Sequence, residues 1–385
     1  MVNSAGKCFE GKESLKILFC GIAVPEEVEC RVKDISAAGN RFQNNVIKNL
    51  KALGHEVIVV SYVSIPIPAA FLEKLQDTPN RKYIVRESQG WKQTCAAVKR
   101  CRRTVEKLIE TADCVICYNI FYSYYFLPWI ARKYSKKSLL ILADYSGPES
   151  FKNVGRKIYA CLQARMLQSF DTVIGLSANT EKRLKKGQKF ILMEGGIDQE
   201  FYDSFTFQEK TNEKPVVFMY SGLLSRVTGV DLLLKAMKEN EDPDIRLVIT
   251  GKGNLEQQVR DAERKDSRIQ YKGHLSYEEY IGELQKADVL VNPRNMALPE
   301  NQNNFPSKIL EYLATGKRIV STKFVGWEKF HDHIKFLEME SLEKIFFENR
   351  NVKEEYLAER MLSKRYLWSV QLKKLLGEQC ENCNS

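Results

Sequence analysis

The densest concentration of residues suited to chemistry lies between Asp288 and Thr322. An apolar run, Val289–Val291, ends at Asn292-Pro293-Arg294, and a polar loop, Asn295–Asn304, follows. Phe305-Pro306-Ser307-Lys308 then opens a stretch with helical spacing that carries Glu311 and stops at Gly316. Pro306 suits a first helical position and Asn304 suits a cap. The unpaired amides of such a first turn attract anions, and Lys308 adds a mobile positive charge there. Arg294, at the C-terminal end of the adjoining strand, supplies a forked donor matched to phosphate oxygens. Open α/β sheets bind ligands at strand C-terminal ends, and this is one. Glu311 falls about one turn beyond Lys308 on the same face. A carboxylate there accepts hydrogen bonds from ribose hydroxyls. Together these parts describe a cradle for a nucleoside diphosphate.

Other chemistries lack their residues. A dinucleotide-binding turn needs Gly-x-Gly-x-x-Gly after the first strand, where this chain has Gly21-Ile22-Ala23-Val24-Pro25. Gly251-Lys252-Gly253 follows a strand without a third glycine, and neither a P-loop nor a Gly-x-Ser-x-Gly elbow is present. Hydride transfer and serine hydrolysis are therefore disfavoured. Histidines occur only at His55, His274, His331 and His333. His331 and His333 are spaced to join a metal site, yet no carboxylate–histidine motif accompanies them, and a surface loop is the simpler reading. Among ten scattered cysteines are two Cys-x-x-Cys pairs, Cys114/Cys117 and Cys380/Cys383. One pair sits in an apolar run and the other in the tail, which fits reduced thiols better than zinc or a disulfide.

The cradle needs a scaffold, and apolar runs alternate with amphipathic stretches along the whole chain. Leu15–Cys20 and Glu56–Tyr62 are predicted strands. Between them Phe42, Val46, Ile47, Leu50 and Leu53 mark a helix that Gly54 ends. More strands are predicted at Cys114–Cys117, Ser138–Leu142 and Thr172–Gly175. Polar, unpatterned Asp203–Pro215 reads as a linker, after which the alternation restarts. Its expected strands are Val216–Tyr220, Ile245–Thr250, Ile269–Tyr271, Val289–Val291 and Arg318–Ser321. Its expected helices are Gly229–Lys238, Asn254–Lys265 and Ser307–Leu313. Such repetition predicts parallel sheets covered on both faces. The expected fold is α/β, with two Rossmann-like doubly wound domains (1–205 and 206–355) facing a cleft. A last helix, about Glu354–Leu376, is expected to cross back onto the first domain within 356–385.

A length of 385 residues suits two domains, and 44% hydrophobic with 28% charged residues suits a globular chain. No run of about 18 apolar residues occurs, so no transmembrane helix is expected. Met1–Ser14 lacks an apolar core, so no signal peptide is expected. Residues 1–205 hold 31 Lys+Arg against 21 Asp+Glu, which is the entire net charge of +10; the remainder is balanced. This asymmetry points to an anionic partner of the first half, whether a membrane surface, a pyrophosphate-linked acceptor or nucleic acid, or else to a solvated surface. Trp91–Glu110 sets Lys99, Arg100, Arg102 and Arg103 beside Ala97, Val98, Val105, Leu108 and Ile109. It reads either as a membrane-facing helix or as a core helix with a solvated basic face. The aromatic run Phe121–Phe126, with Trp129, either lines an acceptor cleft or packs between helices.

Phe305-Pro-Ser-Lys-Ile-Leu-Glu-Tyr-Leu-Ala-Thr-Gly-Lys-Arg-Ile-Val320 resembles a bacterial polysaccharide-synthesis branch of the retaining family 4 glycosyltransferases of the GT-B fold. Further matches are Ser36-Ala-Ala-Gly-Asn40, Gly195-Gly-Ile-Asp198, Tyr220-Ser-Gly-Leu-Leu224, Gly229-Val-Asp-Leu-Leu-Leu234 and Gly251-Lys-Gly253. Their order and spacing extend the resemblance over nearly the whole chain. It implies a donor on the C-terminal domain, an acceptor on the N-terminal one, retention of anomeric configuration, and basic side chains in place of a metal. Glu311 would hold the ribose. Arg294, Lys308 and the amides of Ile309 and Leu310 would hold the diphosphate, and Ser307, Gly222 and Lys252 would also contact the donor. The loop at His274 would meet the base, and Gly39 with Asn40 would approach across the cleft. The chain departs from the pattern at Asn303, where the family has the first of two glutamates eight positions apart. It departs also at Leu223 and Thr228, where many members carry Arg and Lys; Arg226 is a nearby substitute. Asp144 is the candidate for a polar residue facing the cleft, or else a cap or turn former.

The expected function is transfer of sugar from a nucleotide diphosphate donor, a UDP-sugar, to a lipid-linked or polysaccharide acceptor. No metal, cofactor or nucleic-acid partner is expected. The expected location is cytoplasmic, with peripheral contact to an anionic inner membrane face. The rival reading is a catalytically silent partner of the same fold that stabilises or recruits an active transferase. A nucleotide-sugar epimerase would need more ionisable groups than the histidines supply.

Overall fold

The computed structural model describes residues 14–29, 37–63, 69–86, 88, 90–143, 153–205, 215–298, 301, 305–346 and 357–377. The chain divides into two compact units, Met1–Met193 with Trp368–Ser385, and Glu194–Leu367.

Seven parallel strands form the sheet of the first unit. They are β1 (Lys16–Gly21), β2 (Glu56–Val63), β3 (Arg81–Val85), β4 (Cys114–Tyr118), β5 (Lys137–Leu142), β6 (Thr172–Gly175) and β7 (Lys189–Leu192), in the order β3-β2-β1-β4-β5-β6-β7. Near-continuous apolar runs such as KILFCG and CVICY are what a sheet buried on both faces requires. Successive side chains on a strand face opposite ways. Leu18, Cys20, Val115 and Cys117 accordingly pack with Ala97, Cys101, Val105 and Ile109 of the helix Trp91–Ile109. Ile17, Phe19, Cys114 and Ile116 pack on the other side with Val46, Ile47 and Leu50 of the helix Ala37–Ala52. Trp368, Leu372, Leu375 and Leu376 of the last helix, Trp368–Leu376, complete that layer, and Phe42 meets Trp368 edge-on at 5.1 Å.

The second unit repeats the plan. Its strands are β8 (Val216–Ser221), β9 (Ile245–Thr250), β10 (Ile269–Tyr271), β11 (Val289–Asn292), β12 (Arg318–Thr322) and β13 (Lys335–Leu337), ordered β10-β9-β8-β11-β12-β13 and again parallel. Phe218, Leu247, Val289 and Val291 pack with Val230, Leu233 and Met237 of the helix Val230–Glu239. In each sheet the strand order reverses once, between β1 and β4 and between β8 and β11. Loops diverge at such a switch point and leave a crevice at the strand C-termini.

The unit boundary falls at Met193, ahead of the polar stretch after Asp203 that reads as a linker. Burial explains this. Phe201, Tyr202 and Phe205 are buried, and Phe201 stacks on Tyr280 of the second unit at 6.3 Å. The expected single C-terminal helix is broken as well. Leu357–Ser363 belongs to the second unit, where Arg360 bonds the Ala314 carbonyl at 3.1 Å. A tight turn at Lys364–Tyr366 follows before the last helix. Strands β3, β7 and β13 and the helix Tyr277–Lys286 have no counterpart among the sequence expectations.

Candidate nucleotide-binding site

Three loops leave the C-terminal ends of β8, β9 and β11 and interlock through their backbones. Gly222 N–H donates to the Thr250 carbonyl (3.1 Å), Leu224 N–H to the Lys252 carbonyl (2.8 Å), and Leu255 N–H back to the Leu224 carbonyl (3.0 Å). The β11 loop is drawn in by Asn301, which is fully buried and whose Nδ2 donates to the carbonyls of Val227 (2.6 Å) and Asn295 (2.7 Å). Side chains are excluded at the points of closest approach. Gly229 has φ +77°, and a Cβ there would lie 1.7 Å from the Pro293 carbonyl oxygen. Gly251 has φ +129°, with the Gly222 carbonyl at 1.8 Å from any added Cβ. These contacts need glycine, and they set the position of Pro293-Arg294. Thr322 fixes the same segment by donating to the Arg294 carbonyl at 2.7 Å.

Arg294 is half-buried beside Tyr220. Burial pulls the guanidinium below its ordinary value, opposed by the Tyr220 phenol. Tyr220 itself is pushed up to about 12, chiefly by burial. An arginine keeps its charge through such a shift. The helix Lys308–Thr315 presents Lys308 and Glu311 on one face. The Lys308 ammonium lies 2.7 Å from Glu311 Oε2 and 4.3 Å from the centre of the Tyr280 ring. Tyr280 donates to the same Oε2 at 2.8 Å and accepts from Lys308 at 3.2 Å. Burial and the Glu311 carboxylate hold the Tyr280 phenol well above its usual value, so it stays a donor. No hydrogen bond falls on Glu311 Oε1 among the described residues, which leaves that oxygen able to accept from a ligand hydroxyl. Behind them Tyr312 is buried and accepts from Ser221 N–H at 3.1 Å, tying the helix to the end of β8.

The two expectations for the helix's first turn fare differently. Lys308 and Glu311 come together as their spacing implies. The amides of Ile309 and Leu310 are already engaged, donating to Pro306 (2.9 Å) and Ser307 (3.1 Å) in a tight i→i−3 turn. Ser307 is exposed at the cap and its side chain makes no capping bond. An anion bound there would have to share those N–H groups or reopen the turn, which would leave Lys308 to meet more of its charge. Gly222, Lys252 and His274 line the neighbouring loop ends, the last two exposed. Of the departures from the family pattern, Leu223 is exposed, and Thr228 Oγ1 is engaged within its own loop, donating to the Leu223 carbonyl at 2.6 Å. Asn303 and Asp144 lie outside the described residues.

In the first unit Asn40 is buried, and both ends of its carboxamide are engaged. Oδ1 accepts from Val24 N–H (2.8 Å), while Nδ2 donates to the Val24 carbonyl (3.1 Å) and to Glu29 (2.7 Å). Gly39 accepts from Gln43 at 3.1 Å, and Gln43 also clasps Ile22. These amides shape the loop after β1. Tyr280 and Tyr312 are the residues that sequence reasoning missed. Among the described residues no group of three His, Cys, Asp or Glu is placed to hold a metal ion. Cys114 and Cys117 face opposite sides of the first sheet, which removes the pairing left open by their spacing; Cys380 and Cys383 lie outside the described residues. His331 is exposed on a loop, and His333 sits 3.4 Å from the buried Glu359.

Residues 202–342 match the family model of glycosyl transferases group 1. That span contains Arg294, Lys308, Glu311 and Tyr280. No curated protein matches the chain. Among solved structures the chain is similar to HepE of Anabaena in complex with UDP, at 13% identity and TM-score 0.67 over 94% of this chain and 98% of that one. It is similar to a glycosyltransferase from Rickettsia africae, at 15% identity and TM-score 0.68 over 94% and 97%. Sucrose-phosphate synthase from Thermosynechococcus elongatus gives 12% identity and TM-score 0.67 over 93% and 97%. At these identities the likeness is one of fold: two Rossmann-like α/β units with parallel sheets, as in glycosyltransferases of the GT-B fold.

Proposed function

We propose that the chain is a glycosyltransferase that takes sugar from a UDP-sugar and passes it, with retention of anomeric configuration, to a lipid-linked or polysaccharide acceptor. The observation that carries this reading is the Lys308–Tyr280–Glu311 cluster, with Arg294 placed separately just past the end of β11, all inside the span that matches the group 1 family. Lys308 and Arg294 neutralise the departing diphosphate, so no metal is needed. Glu311 Oε1 takes a ribose hydroxyl. Asn303 holds sugar hydroxyls as a neutral amide, and Asp144 supplies the polar contact on the acceptor side. The UDP bound in the HepE structure supports the choice of nucleotide.

The test is thermal unfolding of the purified chain with UDP, GDP and UDP-glucose, followed by UDP release from UDP-sugars with a chelator present. A ligand that binds only the folded state raises its stability. The expected result is a raised midpoint with UDP that Lys308→Ala abolishes, and chelator-resistant turnover. If no nucleoside diphosphate moves the midpoint, the reading fails. The silent-partner reading is motivated by Asn303, Leu223 and Thr228, which depart from the family pattern; the Thr228 hydroxyl is tied into its own loop where many members of that family carry a lysine. UDP binding without turnover on any UDP-sugar would favour it.

A further inference from the structure

The first unit carries a helix that is apolar on two sides, and only one of them is covered. The helix Val154–Leu167 is capped by Asn153, whose side chain accepts from Arg156 N–H at 3.2 Å. Ala160, Met166 and Leu167 face the core. On the outer side Val154, Ile158 and Leu162, one turn apart, are 71%, 59% and 60% exposed. An apolar stripe on a helix ordinarily packs against a partner, and this outer stripe has no cover among the described residues. Exposed Arg156, Lys157 and Arg165 accompany the stripe, and the helix has no acidic residue. Next to it Gln163 bonds the Ile120 carbonyl at 2.8 Å, and Tyr159 lies against Tyr122. The adjoining segment adds exposed Tyr125 and Trp129.

We infer that this surface docks on an anionic lipid bilayer, with Val154, Ile158 and Leu162 entering the acyl boundary and the basic side chains meeting lipid phosphates. Charge complementarity selects that occupant. The first half of the chain holds the whole +10 net charge, and aliphatic stripes flanked by Lys and Arg are the pattern of helices lying in a bilayer interface. A second copy of the chain is a poorer fit, since a two-fold contact sets each patch against itself and opposes like charges. The helix Trp91–Ile109, which reads from sequence as a membrane candidate, presents no comparable aliphatic stripe. Ala97, Cys101, Val105 and Ile109 are fully buried in the core, and the outward positions are mainly basic, with Trp91, Cys95 and Ala96 as the exposed apolar exceptions.

The test is co-sedimentation of the full chain with vesicles of phosphatidylcholine alone and with about one-third phosphatidylglycerol. It needs neither donor nor acceptor, so its outcome is independent of the transferase reading, which UDP-induced stabilisation reports separately. The expected result is binding to the anionic vesicles alone that weakens with salt. Ile158→Ser with Leu162→Ser should then lose about tenfold in partition or more. Both positions are exposed, and an unchanged circular dichroism spectrum verifies folding. Separately, Ile158→Trp fluorescence should shift to the blue on adding anionic vesicles. Failure to bind anionic vesicles, or equal binding by the double variant, overturns the inference. So does a dimer in sedimentation equilibrium that the double variant abolishes, which would assign the face to a second copy.

Discussion

Replacing Lys308 by alanine separates a binding role from a structural one. Without ligand, Lys308 loses an ion pair to Glu311 and its place over the Tyr280 ring. Both charged side chains keep 30% of their exposure, so the pair is screened and is worth about 0.3–1 kcal/mol. The cation–π contact adds about 0.5–1 kcal/mol. With a diphosphate bound, the same ammonium makes charge-assisted hydrogen bonds worth about 1.5–3 kcal/mol. Glu311, left beside the phosphates without its cation, adds repulsion. A net loss of about 2 kcal/mol corresponds to roughly a thirtyfold weaker UDP affinity. At a UDP concentration one hundred times the parent Kd, ligand stabilises the parent by about 2.7 kcal/mol. The variant at that concentration is stabilised by only about 0.9 kcal/mol. Calorimetric titration with UDP and denaturation with and without it measure both quantities. A UDP Kd within about threefold of the parent, below roughly 0.7 kcal/mol, would refute the assignment of Lys308 to the phosphates.

Three further outcomes follow from the same geometry. Tyr280→Phe removes the second donor to Glu311 Oε2 while leaving Lys308 in place; UDP titration should show affinity lowered by about tenfold, and an unchanged affinity would make the contact merely structural. Gly229→Ala forces a side chain onto the Pro293 carbonyl at φ +77°; denaturation should show a loss above about 2 kcal/mol, from the left-handed conformation and the clash together. Asp266 and Arg268 form a two-point ion pair at 2.7 and 3.0 Å, and hydrogen bonds from Arg268 hold the Asp266 carboxyl below its ordinary 3.8. A depressed carboxylate stabilises the fold above its unfolded value and loses that contribution as pH falls through the folded one. Asp266→Asn should therefore cost about 1 kcal/mol at neutral pH, and the gap to the parent should close below pH 3.8.

The central strands were readable because burial on both faces demands runs such as CVICY and VVFMYS. The unanticipated strands are edge or near-edge members with basic starts, RKYIV, KFIL and KFL, where one side of the ladder or face is partly solvated and the pattern fades. The helix Tyr277–Lys286 escaped because only Leu284 is buried along it, although its Ser276/Glu279 capping box was there to be seen. The site divides along the same line. Lys308 and Glu311 are three residues apart, so helical spacing alone pairs them. Tyr280 joins them from thirty-one positions before Glu311, and only the fold connects such distant positions. The engaged amides of Ile309 and Leu310 were equally illegible, since they depend on whether the first turn is α or tighter.

The distribution of charge assigns different physics to the two halves. Residues 206–385 carry no net charge, and the second unit, Glu194–Leu367, further includes acidic Glu194, Asp198, Glu200 and Asp203, so a nucleotide arriving there meets no broad positive field. Its affinity must come from a few fixed groups: Arg294 held by the Gly229–Pro293 contact, and Lys308 held by Glu311 and Tyr280. Short-range pairs in a half-buried crevice are weakly screened by salt. Field-driven attraction of the first half to an anionic surface is strongly screened, because it sums many exposed charges over distances beyond about 8 Å. Raising ionic strength should therefore release the chain from anionic vesicles well before it weakens UDP binding. Parallel loss of the two would mean that one diffuse basic field, rather than two separately built sites, governs both interactions.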